Sequence, residues 1–158
     1  MSFSSDVKKE LSNVKPEKSC CARSELGGLY ASMASLNLLG RGQVNVQFSS
    51  ESLAVCRRAY TLLSQALHIA AQIHYVSSAR FGGKRKCVLT LGPIHSPVLL
   101  CALGMMEKNE NGSVSLKSTT PRLPLTRGCC MRAPVYLFHG MIGTALMAFF
   151  GEPSTTLS

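Results

Sequence analysis

Nine consecutive residues, Leu26-Gly27-Gly28-Leu29-Tyr30-Ala31-Ser32-Met33-Ala34, constrain this chain more than any other stretch. Leu26, Leu29, Tyr30 and Met33 follow the i, i+3, i+4, i+7 spacing of a helix with one apolar stripe, which is read over residues 22–34. Gly27, Gly28, Ala31 and Ala34 are small residues three and four apart, and such a surface lets a second helix approach closely. A plain core helix that happens to contain a Gly-Gly pair is the competing reading, and the order of elements downstream decides between the two.

After the helix, Ser35-Leu36-Asn37-Leu38 alternates, Gly40-Arg41-Gly42 turns, and Val44-Asn45-Val46-Gln47-Phe48 alternates again, which is the signature of a β-hairpin. Ser50 is placed to cap a helix over 51–67 whose apolar face would be Leu53, Cys56, Tyr60, Leu63 and Leu67. A second hairpin is expected, with strands near 70–78 and 86–92 joined by Arg80-Phe81-Gly82-Gly83-Lys84-Arg85 and ended by Gly92-Pro93. Ser96-Pro97 offers an N-cap with proline at the first helical position, and Gly104 offers the stop. The chain thus reads as an α+β fold in the order αββαββα.

A partial repeat follows. Cys20-Cys21-Ala22-Arg23 recurs as Cys129-Cys130-Met131-Arg132, 109 residues later, each time ahead of an apolar segment rich in Gly and Ala. Between the copies, Asn109-Glu110-Asn111-Gly112 and Pro121-Arg122-Leu123-Pro124 have the composition of a linker.

Charge is distributed unevenly. Seventeen Lys and Arg face eight Asp and Glu, and no acid occurs between Glu51 and Glu107, where Arg57, Arg58, Arg80, Lys84, Arg85 and Lys86 lie. A basic, acid-poor middle is the footprint of a polyanionic partner, with a solubility bias or an acidic protein partner as the alternatives. At 46% apolar the chain can build a core. Residues 1–19 are polar and charged, unlike a secretory leader, so the seven cysteines are expected to be reduced and cytoplasmic. A zinc site from Cys20/Cys21 and Cys129/Cys130 lacks the C-x₂-C spacing of structural zinc, so the thiols read as small hydrophobes and no metal is expected. The apolar run 134–151 is of borderline length for a span and contains His139; the soluble reading is preferred and no membrane partner is expected.

Residues 26–34 resemble a LAGLIDADG helix, the core element of the homing-endonuclease fold, with Ala31 and Met33 at the positions where that motif carries aspartate. The αββαββα order is that of one LAGLIDADG half-domain. Met1-Ser2-Phe3-Ser4-Ser5-Asp6-Val7-Lys8-Lys9-Glu10-Leu11, Pro16-Glu17-Lys18-Ser19-Cys20-Cys21 and Arg127-Gly128-Cys129-Cys130-Met131-Arg132-Ala133 are similar to the WhiA family of bacterial regulators, a resemblance covering about residues 1–133. It implies a lead-in over 1–19, a first LAGLIDADG-like domain over 20–105, a linker over 106–128 and the start of an incomplete second repeat over 129–158. It also implies DNA binding, roles in transcription, sporulation, cell division and chromosome segregation, and a nucleoid-associated location in the cytoplasm. The family's second half-domain and C-terminal helix-turn-helix would lie beyond Ser158, and 134–158 does not look like the family, so a truncated or frame-shifted product is expected.

By the same resemblance the strands face the duplex. Arg80, Lys84, Arg85 and Lys86 on one hairpin, supported by Arg41 on the other, are the candidate DNA contacts. Leu26, Gly27, Gly28, Leu29, Ala31, Met33 and Ala34 form the candidate helix-packing motif, a surface for self-association when its second copy is incomplete. No paired carboxylates, no histidine cluster and no phosphate-binding glycine loop are found, so no cofactor and no enzyme activity are expected. Glu25, just before the motif, is read as favouring the helix N-terminus. Three functions remain open: a non-catalytic DNA-binding regulator, a protein-interaction module that kept the fold, and a divergent metal-dependent nuclease.

Overall fold

The computed structural model describes residues 6, 9–10, 12–16, 19–77, 79 and 82–121. The expected order appears in it. Helix α1 (Ser19–Met33) runs directly into β1 (Ala34–Gly40), which turns back as β2 (Gln43–Ser50). Helix α2 (Leu53–Leu67) crosses to β3 (Gln72–Ser77) and β4 (Arg85–Leu91), and α3 (Ser96–Ala102) follows. The four long strands form one antiparallel sheet in the order β1-β2-β4-β3, so the two hairpins meet along β2 and β4 and leave β1 and β3 as edges.

The alternation read in the sequence sets the register. Phe48 lies opposite both Ala34 and Leu89, and Val46 opposite Leu36 and Leu91, so one face of the sheet is continuous hydrocarbon. Val44, Val46, Phe48, Leu89 and Leu91 on that face join Leu26 and Leu29 of α1, Val55, Ala59, Leu62 and Leu63 of α2, and Leu99, Leu100 and Leu103 around α3 in one core. Phe48 meets the ring of Tyr30 edge-on at a centroid distance of 6.3 Å. Burial raises the Tyr30 phenol above its usual pKa.

Several local readings are corrected. Ser50 is the last residue of β2, and Ser52 is the N-cap of α2; the Ser50 hydroxyl accepts the Ser52 N–H at 3.1 Å. The buried stripe of α2 is Val55, Cys56, Ala59, Leu62 and Leu63, while Tyr60 is exposed and Leu53 and Leu67 are half-buried. The helix is therefore rotated from the expected face, because the buried side also accommodates Arg58. Ser96 is not the cap of α3, a position held by His95. Its buried hydroxyl accepts the Val46 N–H at 3.0 Å and lies 3.1 and 2.9 Å from the Leu91 and Gly92 carbonyls. A single serine thus ties α3 to the middle of the sheet.

Gly104 ends α3 as expected. With φ at +69° it lets the Met105 N–H return to Leu100 O and its own N–H to Cys101 O, a Schellman closure. The stretch beyond, read as linker, begins with structure: β5 (Met106–Lys108) and β6 (Val114–Leu116) form a small hairpin. Met105 and Met106 are part of the core. Lys117 pairs with Glu107 across that hairpin. The second repeat from 129 on, residues 122–128 of the expected linker and the apolar run 134–151 lie outside the described residues. Among the described residues no helix is long and apolar enough to cross a membrane.

Candidate nucleic-acid interface

Strand alternation that buries one face of the sheet must present the other. Across the middle of the outer face runs a row of four paired residues, Ser35, Gln47, Thr90 and Gln72, one from each strand. Asn37 lies opposite Asn45 on one side of this row; on the other, Ser49, Val88 and His74 form the next row and Lys86 lies opposite Val76. The face carries amides, hydroxyls, one imidazole and two valines, Val76 and Val88, with Lys86 at one end and no carboxylate. These residues are half-buried or exposed, whereas their neighbours Val46, Phe48 and Leu89 are fully buried. Two polar atoms on it, Asn45 Oδ1 and Thr90 Oγ1, are shielded and have no hydrogen-bond partner among the described residues. Unpaired shielded polar atoms are uncommon in folded proteins.

The expected basic contacts divide. Lys84 and Arg85 are exposed at the β3–β4 turn, and Lys86 is half-buried on the outer face. Arg85 has the opposite parity: it shares a pocket of about 300 Å³ with Glu51, Leu53, Tyr75 and Cys87 at the end of the inner face. Arg41 is held at the β1–β2 turn with φ at +52° between Gly40 and Gly42, both also at positive φ. The sheet places this turn at the other end from Lys84. Ser77 and Ser50 flank the start of β4, whereas Val46, toward the turn, pairs with its last residue, Leu91. The eight residues of β2 separate the two ends by roughly 23 Å at about 3.3 Å per residue. Arg41 therefore does not support the Lys84–Lys86 turn; the two bracket the outer face from opposite ends. Arg80 lies outside the described residues.

In the packing motif, Leu26, Gly27, Gly28 and Leu29 are buried, Met33 and Ala34 are half-buried, and Ala31 is exposed. Ala31 and Ala34 line a pocket of about 290 Å³ with Tyr30, Leu36 and residues 119–121. Ala31 and Met33 offer no carboxylate where the LAGLIDADG motif has two.

Glu25 does not serve the helix N-terminus. It is fully buried, and its two oxygens accept bonds from Arg58 Nε at 2.6 Å and Nη2 at 2.8 Å. Arg58 Nη1 also donates to the Ser12 carbonyl at 3.4 Å. This fork-to-fork pair joins α1 to α2 inside the fold, and both carboxylate oxygens are committed to it. Sequence reading missed the pair because the two residues are 33 apart; the signal present was an arginine one position away from the apolar stripe of α2.

Among the described residues no group of three or more His, Cys, Asp or Glu is placed to hold a metal ion. Cys56 and Cys87 are buried together between α2 and β4, with the Cys56 thiol 3.4 Å from the Cys87 carbonyl. Burial, reinforced by the neighbouring Cys87, pushes the Cys56 pKa up to about 12, so the thiol stays protonated at neutral pH.

An α+β domain with this element order, carrying a LAGLIDADG-like helix that lacks its acids, is the fold class reached here. Residues 19–94 match the model of the WhiA N-terminal LAGLIDADG-like domain. It is similar to a probable cell division protein WhiA of Alkaliphilus metalliredigens, at 30% identity over 144 residues, covering 90% of this chain and 44% of the relative. The probable cell division protein WhiA of Syntrophomonas wolfei is 33% identical over 151 residues, covering 90% of this chain and 46% of the relative. The chain spans less than half the length of these relatives. Among solved structures, the N-terminal LAGLIDADG domain of DUF199/WhiA superposes with a TM-score of 0.47 at 22% identity, over 64% of this chain and 54% of that chain. Full-length DUF199/WhiA from Thermatoga maritima gives 0.45 at 22% identity, over 65% of this chain and 36% of that chain.

Proposed function

We propose that this chain is a non-catalytic DNA-binding regulatory module of the WhiA type, acting in transcription and sporulation and in cell division and chromosome segregation. One observation carries the DNA reading: the outer face of the four-stranded sheet is polar apart from Val76 and Val88, free of carboxylates and bracketed by Arg41 at one end and Lys84 and Lys86 at the other. Amides and hydroxyls can donate to and accept from base edges and phosphates, and a carboxylate-free surface does not repel the backbone. The names of the relatives, probable cell division proteins, support the cellular role.

Binding is expected to be weak and largely sequence-blind, near the non-specific range of roughly 10⁻⁴–10⁻⁶ M, with each phosphate contact adding about −0.9 to the slope of log K against log salt. Alanine at Lys84, Arg85 and Lys86 together should weaken binding to random duplex and flatten that slope. Equal affinity with an unchanged slope would remove the hairpin from the interface.

The non-catalytic part of the reading rests on Ala31, Met33 and the committed Glu25 carboxylate. Phosphodiester hydrolysis with metal ions needs carboxylates to hold them. Plasmid incubated with the pure chain and Mg²⁺ or Mn²⁺ should remain supercoiled, and nicking that follows the protein through purification would refute this.

A second reading, a protein-docking module, draws on Leu38 and Ile94, 75% and 80% exposed at the β1–β2 turn end of the sheet. Self-association along α1 would use Ala31, its exposed small residue. Duplex binding without salt dependence, or none, would favour docking over the DNA reading.

A further inference from the structure

On the helix side of the molecule, away from the sheet's outer face, a groove of about 620 Å³ lies between Lys9, residues 12–16 and α2. Its cations are Lys9 and Lys15 from the N-terminal segment and Arg57 from the helix, with Arg58 in its wall. Asn13 and Gln65 add amides, and no carboxylate is found among the described lining residues. Lys9, Lys15 and Arg57 are exposed, and among the described residues none of the three makes an ion pair. Arg58 differs, since Glu25 neutralises it from behind while its third nitrogen reaches the Ser12 carbonyl.

This arrangement concentrates three positive charges, none in an ion pair among the described residues, from two separate chain segments around one concavity. Like charges brought together repel, and an anion with several negative charges would relieve that repulsion. The volume falls within the range of about 300–1,000 Å³ typical of small-molecule sites. An arginine fork beside two lysine ammonium groups suits phosphate oxygens, the first by paired hydrogen bonds and the others as point charges.

We propose that this groove binds a small molecule bearing an oligophosphate group. Such a ligand bridges the N-terminal segment to α2, and through the Arg58–Glu25 pair it strengthens the hold of that segment on α1. The site is independent of the DNA reading, because Arg57 and Gln65 belong to the solvent side of α2 and not to the outer face of the sheet.

The test is calorimetric titration of the full chain with inorganic tripolyphosphate, ATP and sulfate at constant physiological ionic strength. Tripolyphosphate should bind measurably and sulfate at least about tenfold more weakly. Lys15→Ala with Arg57→Ala should weaken tripolyphosphate binding at least about tenfold, whereas alanine at Lys84, Arg85 and Lys86 should leave it unchanged. Gln65→Glu, an exposed change that places a carboxylate in the groove without touching the core, should weaken it as well. Equal binding of ATP and tripolyphosphate identifies the phosphates as the recognised group; tighter ATP binding adds a nucleoside contribution. No heat with either ligand overturns the proposal. So does wild-type affinity in both groove variants, an equal loss in the hairpin variant, or a groove filled by duplex DNA alone.

Discussion

Strands β2 and β4 present two kinds of chemistry with the same backbone. Toward the helices they offer Val44, Val46, Phe48, Leu89 and Leu91, all nearly inaccessible to water. Toward the other side they offer Asn45, Gln47, Ser49, Val88 and Thr90, among which two polar atoms have no partner among the described residues. Even the charged and polar groups on the inner side are satisfied: Glu25 by Arg58, and the Ser96 hydroxyl by backbone from two strands and a turn. One face is closed by its own contacts and specifies the fold. The other holds bonding capacity in reserve, which is the property of a surface that meets something else.

Breaking the inner face should have the largest effect. Arg58→Ala leaves a buried, unpaired carboxylate at Glu25 and frees the Ser12 carbonyl, and should cost about 3–5 kcal/mol in urea unfolding. Replacing both partners, as in Glu25→Leu with Arg58→Met, should recover most of that loss, because the penalty lies in the stranded charge. A single-variant loss below about 1 kcal/mol would show that the pair is not buried as described.

The outer face should respond in the opposite sense. Thr90→Val removes a hydroxyl that has no partner and keeps the shape and β-branching of the side chain. Stability should be unchanged or raised by up to about 1 kcal/mol, while duplex affinity falls. A clear loss of stability would show that the Thr90 hydroxyl is bonded within the fold and held for no ligand.

The same contrast explains what was legible in the sequence. Alternation at Val44–Phe48, glycines about Arg41 and at 82–83, and the stop at Gly104 are local signals, and they placed the helices and both hairpins close to their observed limits. Long-range pairing was not legible. The antiparallel order that sets Arg41 and Lys84 at opposite ends depends on β2 pairing with β4, which no short pattern records. The Glu25–Arg58 pair and the Ser96 bond to Val46 join residues 33 and 50 apart. Helical spacing alone puts Tyr60 on one face with Leu53, Cys56, Leu63 and Leu67, whereas Ala59 is buried and Tyr60 exposed, a rotation that only packing against the rest of the fold decides. The outer-face amides were visible as the polar half of the alternation, but only the assembled sheet brings Ser35, Gln47, Thr90 and Gln72 into one row.

That row gives the most direct measurement. Gln47→Glu with Gln72→Glu adds two near-isosteric carboxylates to the middle of the outer face, on strands that flank β4, and touches nothing in the core. Binding to random duplex is then measured across a range of salt, beside a thermal melt. If the outer face lies against DNA, affinity should drop by more than about tenfold at low salt and the gap should narrow as salt rises, with the melting temperature little changed. A double variant that melts like the wild type and binds duplex with the same affinity and the same salt slope would contradict the account.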